Sequence, residues 1–469
     1  MPPANLVTDQ TTFISPIGIG FTLAMCALLL GLPRRYALVP IIVLTCFMTM
    51  GERVMIVGLN FPMVRILMLT GWARVIVRGE MRIGKLNAVD KALIVFTISS
   101  LITYTLLWGT SEAFVNRCGM AYNVLGSYFL FRFLVRDVDD LVRVIKIAAV
   151  FIIPLAGSMV IEKMTGRNSF AMFGGVPAIT AIRDGVLRCQ GPFAHPILAG
   201  TFGATLFPLF AGLWRQGSSA RSLSVAAILS SGVITFTSAS SGPLVALLAG
   251  LIALLLWPLR RHMRVIRWGL LLALVGLEIV MKAHIWFLIA RSGIVSGSTS
   301  HYRAYLIDRA IENFGGWWLI GTKSTGAWAD ADLGLGDRTN QYIVYGADGG
   351  LITLVLFVLV IACCFRTLGL TLHALREESP QLQFSVWALG AALFSHAVNF
   401  LSVSYFDQNF VNWYLLLAMI STASLSVHGV RRKVPVRDGS LHISQGARPA
   451  LWESNLYTAI DRRPANKRG

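Results

Sequence analysis

The chain has 469 residues, of which 55% are hydrophobic and 14% charged, and its mean hydropathy is +0.65. This composition excludes a soluble globular protein, whose surface could not carry so much apolar side chain. A net charge of +18 would indicate nucleic acid as the partner of a soluble protein. In a membrane protein the same excess is expected in cytoplasmic loops, so we expect membrane lipids and no nucleic acid as partners.

Apolar runs of roughly 17 to 25 residues, each long enough to cross a hydrocarbon core about 30 Å thick as a helix, recur along the chain. Because backbone in lipid must satisfy its own hydrogen bonds, they predict an all-α fold, a polytopic transmembrane helical bundle of about 12 spans. The run 54–73, which carries Arg65, is equally compatible with a segment lying in the interface. The apolar runs are 17–32, 36–50, 54–73, 92–108, 120–134, 145–161, 194–214, 222–237, 244–259, 268–281, 351–365, 384–400 and 410–427.

Basic residues fall on alternate connections between these runs, which predicts that those connections are cytoplasmic. Residues 428–469 begin with Arg431, Arg432 and Lys433 and are polar, so we predict a basic, disordered cytoplasmic tail after a membrane domain of residues 1–427. The first apolar run lacks the basic region and cleavage pattern of a signal peptide and is predicted to be retained. The chain is therefore expected to be a multi-pass membrane protein with a cytoplasmic C-terminus.

Two long segments remain on the side opposite the predicted cytoplasmic loops, 162–195 and 282–348. Long ordered loops are more often functional than not. The second is predicted to be a large helical outer loop, with an amphipathic helix over 301–313, a glycine-broken stretch and a polar turn at 337–340. We expect the chemistry to lie in these two segments.

Several short motifs follow one another in this part of the chain. They are RCQGPFAHPILAG at 188–200, TSASSGP at 237–243, an arginine-led helix followed by WWLIG at 317–321, TNQYI at 339–343 and GADGG at 346–350. Their order and spacing resemble the core of the O-antigen ligase and polymerase superfamily, membrane glycosyltransferases of the GT-C type. The motif resemblance covers residues 188–350, and the layout of apolar runs fits the family over the whole chain. The resemblance implies a bacterial inner membrane, with the two long segments in the periplasm.

The resemblance implies that a glycan linked to undecaprenyl diphosphate binds beside the bundle, and that an acceptor hydroxyl displaces the lipid diphosphate with inversion. It implies no cofactor, no metal and no nucleotide sugar. Guanidinium groups suit this reaction, because they donate paired hydrogen bonds to phosphate and neutralise the charge of the leaving group. Arg188 and Arg303 match the two functional arginines of the family, and Asn340 and Asp337 complete the predicted catalytic set.

The chain departs from the ligases at Thr339, where they carry a histidine. A threonine cannot act as a base near neutral pH. The departure favours polymerisation of exopolysaccharide or O-antigen repeat units over the alternative, transfer of O-antigen to lipid A core. The acceptor is accordingly a second glycan or lipid A core. The candidate bases are Asp337, His301, His195 and Asp348, which the sequence leaves unranked.

A further set of polar and aromatic residues is predicted to bind substrate. Aromatic rings can stack on sugar faces, although they also suit an interfacial aromatic belt. An arginine taken alone could equally anchor a lipid headgroup. Arg309 follows Arg303 by six residues and should face elsewhere on the helix. The predicted substrate-binding residues are Arg309, His301, His195, Trp317, Trp318 and Tyr342.

Two alternatives from other classes remain. A transporter or flippase of lipid-linked oligosaccharides would show internal repeats or broken helices near the midplane, and we find no convincing repeat. A structural partner of a polysaccharide export complex is the third hypothesis, and export or chain-length proteins are possible partners of the enzyme as well. Serines 238, 240 and 241 are explained by tight helix packing rather than by nucleophilic catalysis.

Overall fold

The computed structural model describes residues 15–56, 59–81, 84–288, 300–325, 328 and 338–433. Within this part of the chain the fold is built from helices, with two short antiparallel hairpins. The strands are β1 (Arg53–Ile56), β2 (Leu59–Pro62), β3 (Ala181–Arg183) and β4 (Val186–Arg188). The helices are α1 (Pro16–Gly31), α2 (Leu38–Phe47), α3 (Met63–Val77), α4 (Ala88–Trp108), α5 (Ser111–Ala121), α6 (Ser127–Leu134), α7 (Val138–Thr165), α8 (Pro196–Gly212), α9 (Ser218–Thr237), α10 (Ser241–Leu255), α11 (Met263–Val280), α12 (Ser300–Glu312), α13 (Gln341–Ala374), α14 (Pro380–Asn399) and α15 (Asn409–Lys433).

Six helices of the described residues are long and apolar enough to cross a membrane, namely α4, α7, α8, α9, α13 and α15. Helix α10 and the stretch that contains α11 are bent by 74° and make a seventh span if they are counted as one. By length and composition, the protein is therefore an all-α, multi-pass membrane protein. Other apolar runs form shorter helices, such as α1 with 16 residues, and the count of about 12 spans stays a prediction.

The predicted run 54–73 is not one helix. It contains the β1–β2 hairpin followed by α3, and Pro62 ends the strand directly before the helix. Proline favours extended backbone in the residue before it, which explains why the helix begins only at Met63. Arg65 lies on α3 and donates hydrogen bonds to the Asn60 carbonyl and to the Asn123 side chain.

Basic residues from separate connections meet at one end of the bundle. Arg34, between α1 and α2, pairs with Asp140 at the start of α7 at 2.5 Å. Arg136 donates to the Glu80 carbonyl between α3 and α4. These contacts agree with the predicted clustering of basic loops on one side, while the assignment of that side to the cytoplasm stays a prediction.

Helix α12 coincides with the amphipathic helix predicted at 301–313, and it is held against α13. Leu306 and Ala310 of α12 pack with Trp317 and Ala347 in a small apolar cluster. The segment after α12 inserts where α13 bends at Gly350, and the Leu351 N–H donates to the Trp318 carbonyl at 2.7 Å. These contacts hold α12 and the segment after it against α13.

Candidate functional site

The β3–β4 hairpin brings two arginines onto one face. Asp184 (φ 49°) and Gly185 (φ 77°) form its two-residue turn, as expected for Asp-Gly in a tight hairpin of this type. Arg183 pairs with Val186 and Ala181 with Arg188. Because opposed residues share a face and alternate residues along a strand share it too, Arg183 and Arg188 lie diagonally on the same face.

The last turn of α7 fixes this hairpin in place. The buried Glu162 carboxylate accepts the backbone N–H groups of Gln190 at 3.1 Å and Gly191 at 2.9 Å. Lys163 donates to the Leu187 carbonyl in β4 at 2.6 Å. Charge-assisted bonds of this kind are among the stronger ones in proteins, so the arginines sit on a rigid support.

Two arginines from distant parts of the chain converge on the turn between α9 and α10. Arg188 donates to the Ser240 hydroxyl at 2.8 Å, and Arg303 of α12 donates to the Ser241 hydroxyl at 3.2 Å. Gly242, the next residue, packs closely against the segment after α14, since a Cβ there would lie 3.0 Å from Ser402 Cβ. The serines that the sequence marks as packing residues thus hold the two guanidinium groups, which we call the arginine site.

The arginine site is a desolvated positive centre. Arg303 is only 4% exposed, and neither Arg188 nor Arg303 forms an ion pair with a residue that the structure describes. The Nε atoms of both are buried and have no hydrogen-bond partner among those residues. Burial, and then the charges of Arg183 and Arg188, lower the pKa of Arg303 to about 10, so it stays charged at neutral pH. Buried cations are costly unless an anion compensates them, and this arrangement therefore suits an anionic ligand.

His195 lies beside the arginines at the start of α8. Its Nδ1 accepts the Ile197 N–H at 3.2 Å, which leaves the proton of a neutral ring on Nε2. The residue is exposed at its surface, but desolvation by its surroundings and the charges of Arg188 and Arg183 lower its pKa to about 4. At neutral pH the ring is thus arranged as a hydrogen-bond donor rather than as the base that the sequence left open.

Two substitutions of His195 test the roles of its two ring nitrogens separately. In His195→Asn the amide oxygen takes the place of Nδ1, so we expect near-normal thermal stability and anion affinity lowered by about tenfold. His195→Gln offers an amide nitrogen near Nε2, and it should keep anion binding and lose about 1 kcal/mol of helix capping. Thermal unfolding and pyrophosphate binding of the purified protein test this. Wild-type affinity in His195→Asn would rule out the donor role.

Asn340 and Tyr342 stabilise the start of α13. The Asn340 side chain accepts the N–H groups of Tyr342 at 2.9 Å and Ile343 at 3.2 Å, and it donates to the Leu401 carbonyl at 3.2 Å. The Tyr342 hydroxyl donates to the Ala397 carbonyl, and its ring packs inside the bundle. The described contacts explain both residues as a helix cap and a packing residue, and none joins them to the arginine site.

The other predicted substrate residues on or after α12 differ in exposure. Arg309 pairs with Glu312 and also donates to Tyr305, so its contacts stay on its own helix. His301 is exposed on the first turn of α12. Trp317 is buried and donates to the Ala310 carbonyl at 2.7 Å, whereas Trp318 is 48% exposed. Of the two tryptophans, Trp318 is therefore the one available for stacking on a sugar.

Two of the candidate bases predicted from the sequence are the carboxylates Asp337 and Asp348. Asp337 lies outside the described residues. Asp348 accepts hydrogen bonds from Arg117 at 2.5 Å and Arg338 at 2.6 Å, which ties α13 and the residues just before it to α5. Both of its carboxylate oxygens thus accept hydrogen bonds from arginines, and none of its described contacts joins it to the arginine site.

Sequence reasoning missed two residues next to the site. Arg183 could have been found from the Asp-Gly pair that follows it, a strong hairpin signal. Asp407 precedes α15 in a short connection without a motif, and it accepts hydrogen bonds from the backbone and side chain of Asn409. Burial raises the pKa of Asp407 to about 6, against the lowering effect of N–H groups that include that of Ala194, the residue before His195.

Among the described residues, no group of three or more histidine, cysteine, aspartate or glutamate side chains could hold a metal ion. No protein-family model and no curated protein matches this chain. The superfamily resemblance therefore remains a prediction from the motifs, and the arginine site is the feature from which function is argued.

Proposed function

We propose that the protein is a membrane glycosyltransferase that joins undecaprenyl-diphosphate-linked glycans on the periplasmic face of a bacterial inner membrane, polymerising repeat units of an exopolysaccharide or O-antigen. One observation carries the proposal: the buried Arg303 and the partly buried Arg188, both without a described ion-pair partner, converge on the Ser240–Ser241 turn. Paired guanidinium groups in a water-poor site suit a phosphate group of the donor.

In the proposed reaction, the bond between the anomeric carbon and the diphosphate oxygen breaks, and its electron pair stays on that oxygen. The acceptor hydroxyl oxygen forms the new bond from the opposite face and gives up its proton to a base or to water. Negative charge grows on the departing diphosphate, and Arg188 and Arg303 stabilise it. The Nε2–H of His195 adds a neutral donor next to them. For the base, Asp337 and His301 remain the candidates from the sequence.

Glycan analysis of a strain that lacks the protein tests the proposal. We expect loss of long chains, while single repeat units still reach the surface or accumulate on lipid. Long polymer that is no longer attached to lipid A core would instead indicate the ligase alternative. Lipid-linked units trapped on the cytoplasmic face would indicate a flippase, and unchanged surface glycans would overturn the glycosyltransferase proposal.

A further inference from the structure

We infer that Arg183 is a third phosphate-binding arginine, which makes the arginine site selective for a diphosphate over a monophosphate. This inference rests on the proposed function and names a residue outside the motifs on which that proposal was built. It concerns the side chain that the hairpin places diagonally across from Arg188, on the same face.

Arg183 contributes little to the stability of the hairpin. Its ion pair with the neighbouring Asp184 is long, at 3.8 Å, and both side chains are about half exposed. Such a pair contributes little to stability. Arg188, by contrast, is anchored to Ser240. The hairpin thus presents one arginine fixed against the bundle and a second one able to reach a ligand beside it.

The positive charge of Arg183 acts on the other ionisable groups of the arginine site. It lowers the pKa of Arg303, of Arg188 and of His195, which places its guanidinium near all three groups. Arg188 and Arg303 have no described carboxylate partner, and Arg183 has only the long pair with Asp184, so these like charges repel one another. An anion with more than one phosphate would relieve this repulsion better than a single phosphate.

The proposed reaction calls for a third cation. A diphosphate esterified at both ends carries about two negative charges, and the lipid diphosphate that leaves carries about three near neutral pH, since a terminal phosphate loses its second proton near pH 6. Two arginines match the charge of the donor, and three match that of the leaving group. Arg183 would therefore bind the departing diphosphate more tightly than the intact donor, which is the condition for accelerating the step.

Binding of farnesyl diphosphate and farnesyl phosphate to the purified full-length protein in detergent tests the inference, because the two probes differ by one phosphate. Arg183→Ala should weaken binding of the diphosphate about tenfold and of the monophosphate less than about threefold. Arg183→Lys should recover part of the loss. Arg167→Ala is the matched control, since Arg167 is exposed in the same segment and should leave both affinities unchanged. Equal losses for both probes, or no loss, would overturn the role of Arg183.

Two further results separate this inference from the proposed function. If wild type binds neither probe, or if Arg188→Ala binds both as wild type does, the arginine site itself is not an anion site and both proposals fall. If Arg188→Ala loses binding while Arg183→Ala does not, only the third arginine is wrong. Inorganic pyrophosphate, as a competitor without a tail, should bind more weakly than farnesyl diphosphate. Equal affinity would overturn a lipid-linked ligand.

Discussion

Arg303→Ala is expected to lower glycan transfer by at least about 100-fold while leaving the protein folded. The loss follows because Arg303 supplies donors where charge develops on the leaving diphosphate, and removing one such donor typically costs about 10²- to 10³-fold. Stability should be unchanged or slightly raised, because the substitution removes a buried cation that no described carboxylate compensates. Transfer from a lipid-linked donor, measured beside thermal unfolding, shows both effects.

Two companion variants sharpen this test. Arg303→Lys keeps the charge but loses the planar pair of donors, so it should recover only part of the activity. Arg309→Ala lies six residues further along α12 and removes only contacts with Tyr305 and Glu312, so it should transfer glycan as wild type does. Full activity in Arg303→Ala would show that the assigned arginine is wrong. Unfolding of that variant at lower temperature than Arg309→Ala would indicate a structural role instead.

Gly350→Ala is expected to destabilise the protein by about 3 kcal/mol and to lower transfer as well. Gly350 has φ 74° and ψ −178°, a conformation that is strained for any residue with a side chain. A Cβ there would also lie 2.4 Å from the Leu319 carbonyl oxygen. The segment that docks α12 on α13 would have to move, and Arg303 would move with it.

Gly369→Ala is the matched control for that substitution. Gly369 lies on the same helix, and no atom lies within 4 Å of the position that an alanine Cβ would take there. Alanine should therefore be neutral or stabilise the helix by up to about 1 kcal/mol. Thermal unfolding of both variants in detergent gives the comparison. If Gly350→Ala unfolds at the same temperature as Gly369→Ala, the docking contact does not hold α12.

The arginine site combines two kinds of support. Arg188 is placed by a hairpin tied to Glu162 at the end of α7, and Arg303 by a helix packed through Trp317 onto α13. Neither support depends on the other, yet both arginines end on adjacent serines of one turn. Rigid elements that hold a charged group from separate directions are expected where charge must be stabilised without rearrangement.

The sequence by itself determined the class of the protein and much of its layout. Composition and long apolar runs require a helical membrane protein, because only internally hydrogen-bonded backbone is stable in lipid. Periodicity also located α12, since its apolar side must pack against something. Arg188 and Arg303 were chosen as a pair from motifs, and the structure brings them together.

Only the tertiary structure decided what surrounds them. Some apolar runs form short helices, and the run 54–73 forms a hairpin and a helix, because these local structures depend on packing, which hydropathy does not describe. Asn340 proved to be a helix cap and Asp348 a partner of two arginines, since hydrogen bonds between residues distant in sequence set both roles. Arg183 and Asp407 were missed because they come near the arginine site only in the folded chain. Contacts between residues distant in sequence produce no local motif, so the sequence does not show which residues surround a buried charge.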